Sequence, residues 1–163
     1  MWQGKFITAV REGNWEYVER AGRISAVVIL AEHDGKILLV EQQRAPIGRR
    51  CLELPAGLIG DKQSDDNVEA AARRELAEET GYRADRIELL GDYYSSPGMI
   101  AESFTLVRAT GLSRIGPGGG VDGEDIETHL IAREAMADFV AAKRAEGVGI
   151  DVKLLVLLGV AIA

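Results

Sequence analysis

Residues 73–82 read RRELAEETGY, and the spacing of their carboxylates decides how the rest of the chain is read. They fall at the end of a predicted helix over residues 67–79, with Asp65, Asp66 and Asn67 as candidate N-caps and Gly81 in the C-cap position. On a helix Glu75 and Glu78 are three residues apart, and Glu75 and Glu79 four, so the three carboxylates share one face. Like charges at such spacings repel by roughly 0.2–0.5 kcal/mol per pair. A divalent cation reverses that repulsion. The alternative is a solvated acidic face partly neutralised by Arg73 and Arg74, and spacing alone leaves both readings open.

Outward from this helix the pattern is mostly strand. Short β-like segments lie at residues 6–10, 15–18, 25–31 and 36–41, the first two forming a hairpin around Gly13 and Asn14. Asp34-Gly35 is the strongest turn signal and joins SAVVILAEH to KILLVEQ as a second hairpin. Leu52 and Leu54 suggest a strand at Cys51, where a cysteine is ordinary packing material. Further strands fit residues 87–94, 103–109 and 127–132, and helices fit 134–146 and 151–161. Helices interspersed among strands without βαβ alternation imply an α+β fold, a mixed sheet flanked by helices. GPGGGVDGED, residues 116–125, is expected to be a mobile loop. The apolar KLLVLLGVAIA at the C-terminus is too short to span a bilayer, which leaves a core helix or a dimer contact.

Composition narrows the function classes. A chain of 163 residues predicts one domain over residues 1–163. The net charge of −7 argues against nucleic-acid and acidic-membrane partners, whose phosphates require a basic surface. Cys51 is the single cysteine, so an intramolecular disulfide and a Cys-rich zinc site are excluded. No long uncharged apolar window occurs, and the charged start MWQGKFITAVREG does not read as a signal peptide, so the cytoplasm is the expected location. Positive charge gathers locally at Arg44, Arg49 and Arg50, which suits a small anionic ligand.

The motif resembles the signature of the Nudix hydrolase family: Gly, five residues, Glu, seven residues, then Arg-Glu-aliphatic-any-Glu-Glu-any-Gly-aliphatic. Arg74, Glu75, Leu76, Glu78, Glu79 and Gly81 match its second half, and Tyr82 replaces the last aliphatic residue. Counting back from Arg74 reaches Asp66, in place of Glu, and Gly60. The favoured alternative starts at Gly57, in ELPAGL, and accepts three inserted residues in GDKQSDD.

The resemblance implies a Nudix fold, a mixed β-sheet sandwiched between α-helices, and a pyrophosphohydrolase. It implies Mg²⁺, replaceable by Mn²⁺, on Glu75 and Glu79, with Glu78 beside them and the Ala56 carbonyl as a further ligand. Glu124 resembles the family's loop glutamate, as metal ligand or general base, with Asp122 in reserve; the plain reading is that both only solubilise the loop. Pro97, with Gly98 and Glu102, is similar to the pattern of the ADP-ribose pyrophosphatases, and QQRAPIGRRCLELPAG to their substrate arm. That makes Arg44, Arg49, Arg50 and Glu53 candidate substrate contacts, Arg44 first. The plain readings are a turn at SSPG and surface ion pairs at the arginines. The implied reaction is hydrolysis of a nucleotide sugar, ADP-ribose to AMP and ribose 5-phosphate. GDP-mannose is the rival substrate, and a non-catalytic nucleotide sensor the rival of another class. The same resemblance implies a homodimer, with the hairpin in residues 1–24 as its contact.

Overall fold

The asparagine that caps the carboxylate helix and the turn that joins the two most apolar strands fix the two halves of the architecture. A computed structural model describes residues 1–60, 67–121 and 123–157 of the protein. Its strands run β1 Trp2–Gln3, β2 Ile7–Glu12, β3 Trp15–Arg20, β4 Ala26–His33, β5 Lys36–Arg44, β6 Arg49–Glu53 and β7 Ala56–Leu58. They continue with β8 Tyr82–Tyr94, β9 Ser103–Arg114, β10 Ile126–Ala132 and β11 Gly149–Ile150. The helices are α1 Val68–Glu75, α2 Met136–Ala145 and α3 Val152–Leu157.

β1, β2 and β3 form a small antiparallel sheet. The large sheet runs β11-β6-β5-β4-β9-β8, with β10 on β5 and β7 on β4. β4 lies parallel to β9 and β11 parallel to β6, whereas the other pairs are antiparallel, so the sheet is mixed. Asp34 and Gly35 both take positive φ, 48° and 72°, which matches the twist of the β4–β5 hairpin they close. Both sheet faces are covered. Val27, Ile29 and Ala31 pack with Ala71, Ala72 and Leu76 of the carboxylate helix. Val28 and Leu30 pack with Met136 and Val140 of α2 and Leu154 of α3. A strand buried on both faces needs no polar alternation, which explains the unbroken VVIL run in β4.

The expected elements occur, with informative differences in extent. β8 begins at Tyr82, five residues before its expected start, because YRADR pairs at a sheet edge where only Ala84 and Tyr82 pack inward. β9 likewise runs on to Arg114, through pairing with the start of β8. Asn67 is the N-cap: its side chain accepts the Ala70 N–H at 2.9 Å. The rival caps Asp65 and Asp66, and the expected helical residues 158–161, lie outside the described residues.

Candidate active site

The carboxylate helix does not stay α-helical to its end. After Glu75 it widens into a π-helical turn, Leu76–Thr80, and stops at Gly81 in the left-handed conformation (φ 74°). Such turns recur at functional sites because they re-aim side chains without breaking the helix. Glu75, Glu78 and Glu79 all line one cavity of about 740 Å³, a volume in the range of small-molecule sites.

Two β7 residues hold this group from the other side. The Ala56 N–H donates to Glu79 Oε2 at 3.1 Å. A Cβ on Gly57 would lie 2.0 Å from Glu75 Cδ, so only glycine admits the Glu75 side chain there. Gly60, the other candidate start of the motif, has nothing within 4 Å of its would-be Cβ. The close approach to Glu75 is therefore made by Gly57, while Gly60 is a glycine for its left-handed φ of 83°.

Glu79 is only 6% exposed. Burial, together with the charges of Glu75 and Glu124, pushes its carboxyl up to about 8, against the opposing Ala56 hydrogen bond and Arg44. The set fits a hard divalent cation, because every donor is oxygen and the crowded negative charge is what such an ion relieves.

The glycine loop brings Glu124 to the same cavity. The mobility expected of this segment is not what the glycines serve. Ile115 and Gly116 donate to the Gly81 carbonyl at 2.8 and 3.1 Å, Gly119 to Glu79 O at 2.9 Å and Gly120 to Glu78 O at 3.0 Å. A Cβ on Gly118 would meet Thr80 C at 2.4 Å, and one on Gly81 would meet Gly116 O at 2.3 Å. Backbone thus packs directly on backbone at the end of the carboxylate helix. Glu124 is further held by the Val121 N–H, which donates to its Oε2 at 3.0 Å. Asp122 lies outside the described residues.

The cavity is also lined by cations already engaged with acids. Arg44 places Nε and Nη2 on the two oxygens of Glu53, both at 2.7 Å. Arg20 reaches Glu102 Oε1 with Nε at 3.2 Å and Nη2 at 2.8 Å. Lys153 pairs with Asp151 at 2.5 Å. Phe104 also lines the cavity, its ring stacked on Tyr93 at 5.8 Å between centroids.

Of the residues expected from sequence, the cavity gathers Arg44, Glu53, Ala56, Glu75, Glu78, Glu79, Glu102 and Glu124. Arg49, Arg50, Pro97 and Gly98 are not among its lining residues. Arg20, Gln42, Ser95, Phe104, Asp151 and Lys153 line it without having been singled out. Ser95 opens the SSPG turn and Gln42 opens the QQRAPIGRRCLELPAG stretch, but Arg20 and Lys153 come from distant segments with no motif of their own.

A second acidic group, Glu41, Glu127 and His129, has ligand atoms within 4.8 Å of one another. Its buried acid is held by two cations, Arg50 Nε at 2.7 Å and Lys143 Nζ at 2.8 Å from the Glu41 carboxylate, whereas in the first group Arg74 Nη1 lies 3.3 Å from Glu75 Oε1. Burial raises the Glu41 carboxyl, but hydrogen bonds from Lys143 and Arg50 outweigh it and bring it down to about 2.

The description NUDIX domain matches residues 21–113. A methanol dehydrogenase activator of Bacillus methanolicus is 37% identical over 110 residues, covering 68% of this chain and 57% of that protein. An ADP-ribose pyrophosphatase of Bacillus subtilis is 36% identical, over 60% of this chain and 50% of that one. A GDP-mannose pyrophosphatase of Cronobacter sakazakii is 33% identical, over 84% and 72%. The chain thus spans little more than half the length of the first two relatives. Among solved structures, one described as an ADP compounds hydrolase aligns with a TM-score of 0.64 over 83% of this chain and 80% of that one. At 20% identity, that likeness speaks for the fold alone. With more than half of its residues matched by the domain description and the expected sheet between helices in place, the chain belongs to the Nudix hydrolase family.

Proposed function

We propose that this protein hydrolyses the diphosphate of a nucleotide sugar, ADP-ribose foremost, to AMP and ribose 5-phosphate. The observation that carries the reading is the convergence of Glu75, Glu78, Glu79 and Glu124 on one cavity that Arg20, Arg44 and Lys153 also line. Carboxylates that can take a cation and basic side chains in the same cavity suit a diphosphate that must be both held and attacked.

Glu75, Glu79 and Glu124, with Glu78 and the Ala56 carbonyl beside them, would hold Mg²⁺, or Mn²⁺ in its place. When bound, the ion neutralises phosphate charge and lowers the pKa of the attacking water. Arg44 offers its remaining edge, Nη1 and the outer Nη2 hydrogen, to phosphate oxygens while Glu53 holds the Nε–Nη2 edge and keeps the plane fixed. Water attacks one phosphorus, the bridging P–O bond breaks with its electron pair leaving on the departing phosphate, and Glu124, where it serves as base instead of ligand, accepts the water's proton. Asp122 is the reserve for that role. Arg49, Pro97, Gly98 and Glu102 stay candidate substrate contacts, with Glu102 restraining Arg20, whereas the Arg50 guanidinium is engaged with Glu41 and Asp125.

The whole chain acts as one domain in this reading, in the cytoplasm and as a homodimer. Trp2, Phe6 and Trp15, each at least 60% exposed on or beside the small sheet in residues 1–24, supply the apolar contact for a second copy. No described helix is long and apolar enough to cross a membrane.

The second substrate reading, GDP-mannose, rests on the greater span of the GDP-mannose pyrophosphatase match, 84% of the chain against 60%. Purified protein is incubated with Mg²⁺ and a panel of nucleotide sugars. AMP with ribose 5-phosphate from ADP-ribose is expected; faster GMP release from GDP-mannose transfers the assignment. A folded protein that releases no monophosphate with either Mg²⁺ or Mn²⁺ rejects both.

A further inference from the structure

Arg50 stands apart from the cavity but not from the loop that serves it. Its side chain leaves β6 beside buried Glu41, where Nε donates to Oε1 at 2.7 Å and Nη2 to the Glu41 backbone carbonyl at 2.8 Å. Glu41 is fixed in turn by Lys143 of α2, at 2.8 Å, and by His129 of β10, at 3.2 Å. One edge of the guanidinium is therefore immobilised. The remaining nitrogen, Nη1, donates to Asp125 Oδ2 at 3.1 Å. Asp125 follows Glu124 directly.

We infer that Arg50 is a positioning residue for Glu124, tying the loop's exit to the buried Glu41 node while the glycines tie its entry to the carboxylate helix. The inference rests on the proposed role of Glu124. Two anchors bracket the glutamate. Gly119 and Gly120 hang on the Glu79 and Glu78 carbonyls, and the Ile126 N–H returns to Gly119 O at 3.3 Å. Asp125 closes the other side on Arg50. With 88% of the Asp125 side chain exposed, the pair contributes little to global stability. Its effect is local, on where the Glu124 carboxylate sits. Lysine cannot replace Arg50, because one ammonium cannot hold Glu41 side chain, Glu41 backbone and Asp125 at once in the planar fork geometry.

The test combines Asp125→Ala, Arg50→Lys and the double variant, read by steady-state kinetics and by amide hydrogen exchange of the metal-free protein. Each single variant is expected to lower kcat about threefold to tenfold with little change in KM, and the double to be no worse than either single. Exchange at the Glu124 and Ile126 amides should quicken in all three, while Asp125→Ala keeps the wild-type melting temperature. Multiplying effects on kcat, or unchanged loop exchange, overturns the inference. If the wild type hydrolyses no nucleotide sugar, the functional reading falls separately, and the exchange data alone decide whether the tether exists.

Discussion

Two buried glutamates, Glu41 and Glu79, are 3% and 6% exposed and sit on the same protein with opposite charge economies. Glu41 meets Arg50, Lys143 and His129, and its carboxyl is held down at about 2. Glu79 is pushed up to about 8 by burial and by the charges of Glu75 and Glu124, which the Ala56 N–H and Arg44 offset only in part. Burial alone therefore does not distinguish a structural acid from a ligand. The contrast is one of balance: cations outweigh burial at Glu41, whereas burial and neighbouring acids outweigh Arg44 at Glu79, which is why the proposed metal site is placed at Glu79.

Glu79→Gln breaks the comparison most sharply. It keeps the shape and removes a charged oxygen, so Mg²⁺-dependent turnover should fall by about a hundredfold to a thousandfold or more. The metal-free fold should gain, because the folded-state pKa of about 8 lies above the unfolded value of 4.5. A carboxyl raised in this way makes the folded state bind more protons, so wild-type stability declines as pH rises from 4.5 toward 8. At pH 7 the cost is on the order of 3 kcal/mol. Thermal melts across that window should show the decline in wild type and its loss in Glu79→Gln. Near-normal turnover in a folded variant rejects Glu79 as a ligand.

Glu41→Gln should act in the opposite sense. Removing the acid leaves Arg50 and Lys143 without their shared partner, a loss of about 3 kcal/mol that denaturant unfolding would measure. Because the Glu41 carboxyl is depressed from 4.5 to about 2, its stabilisation is present above pH 4.5 and disappears as pH falls toward 2. The variant should lack that acid-side loss. A variant as stable as wild type at neutral pH would mean that the cluster is not a structural node.

The two clusters were unequally legible in the sequence. Glu75, Glu78 and Glu79 lie within one helical turn and a half, so their shared face could be read from spacing. The Glu41 node assembles β5, β6, β10 and α2 from residues as far apart as Glu41 and Lys143, and no local pattern announces it. Arg50 illustrates the limit: beside Arg49 in a basic run it reads as a substrate contact, whereas register aims it across Gln43 at Glu41 and Asp125. The sheet order was legible to the level of a mixed sheet between helices. The parallel β4–β9 pairing, and Arg20 reaching Glu102 from the small sheet, depend on long-range contacts that composition does not encode.

A smaller effect separates backbone from charge. Gly118 has φ 71° and its would-be Cβ meets Thr80 C at 2.4 Å. Gly118→Ala should lift the loop from the carboxylate helix, costing about 1–3 kcal/mol of stability and lowering turnover through Glu124. Wild-type melting and turnover in that variant would show that the close approach is dispensable.

The most direct measurement is Mn²⁺ binding by calorimetry at pH 7 in wild type, Glu79→Gln and Glu127→Gln, repeated in buffers of different ionisation enthalpy. The expected result is binding with proton release in wild type, because the raised Glu79 carboxyl must ionise to take the ion, affinity weakened about tenfold or more in Glu79→Gln, and unchanged affinity in Glu127→Gln. Wild-type binding in Glu79→Gln with loss in Glu127→Gln would place the ion at Glu41, Glu127 and His129 and contradict the assignment of the cavity as the metal centre.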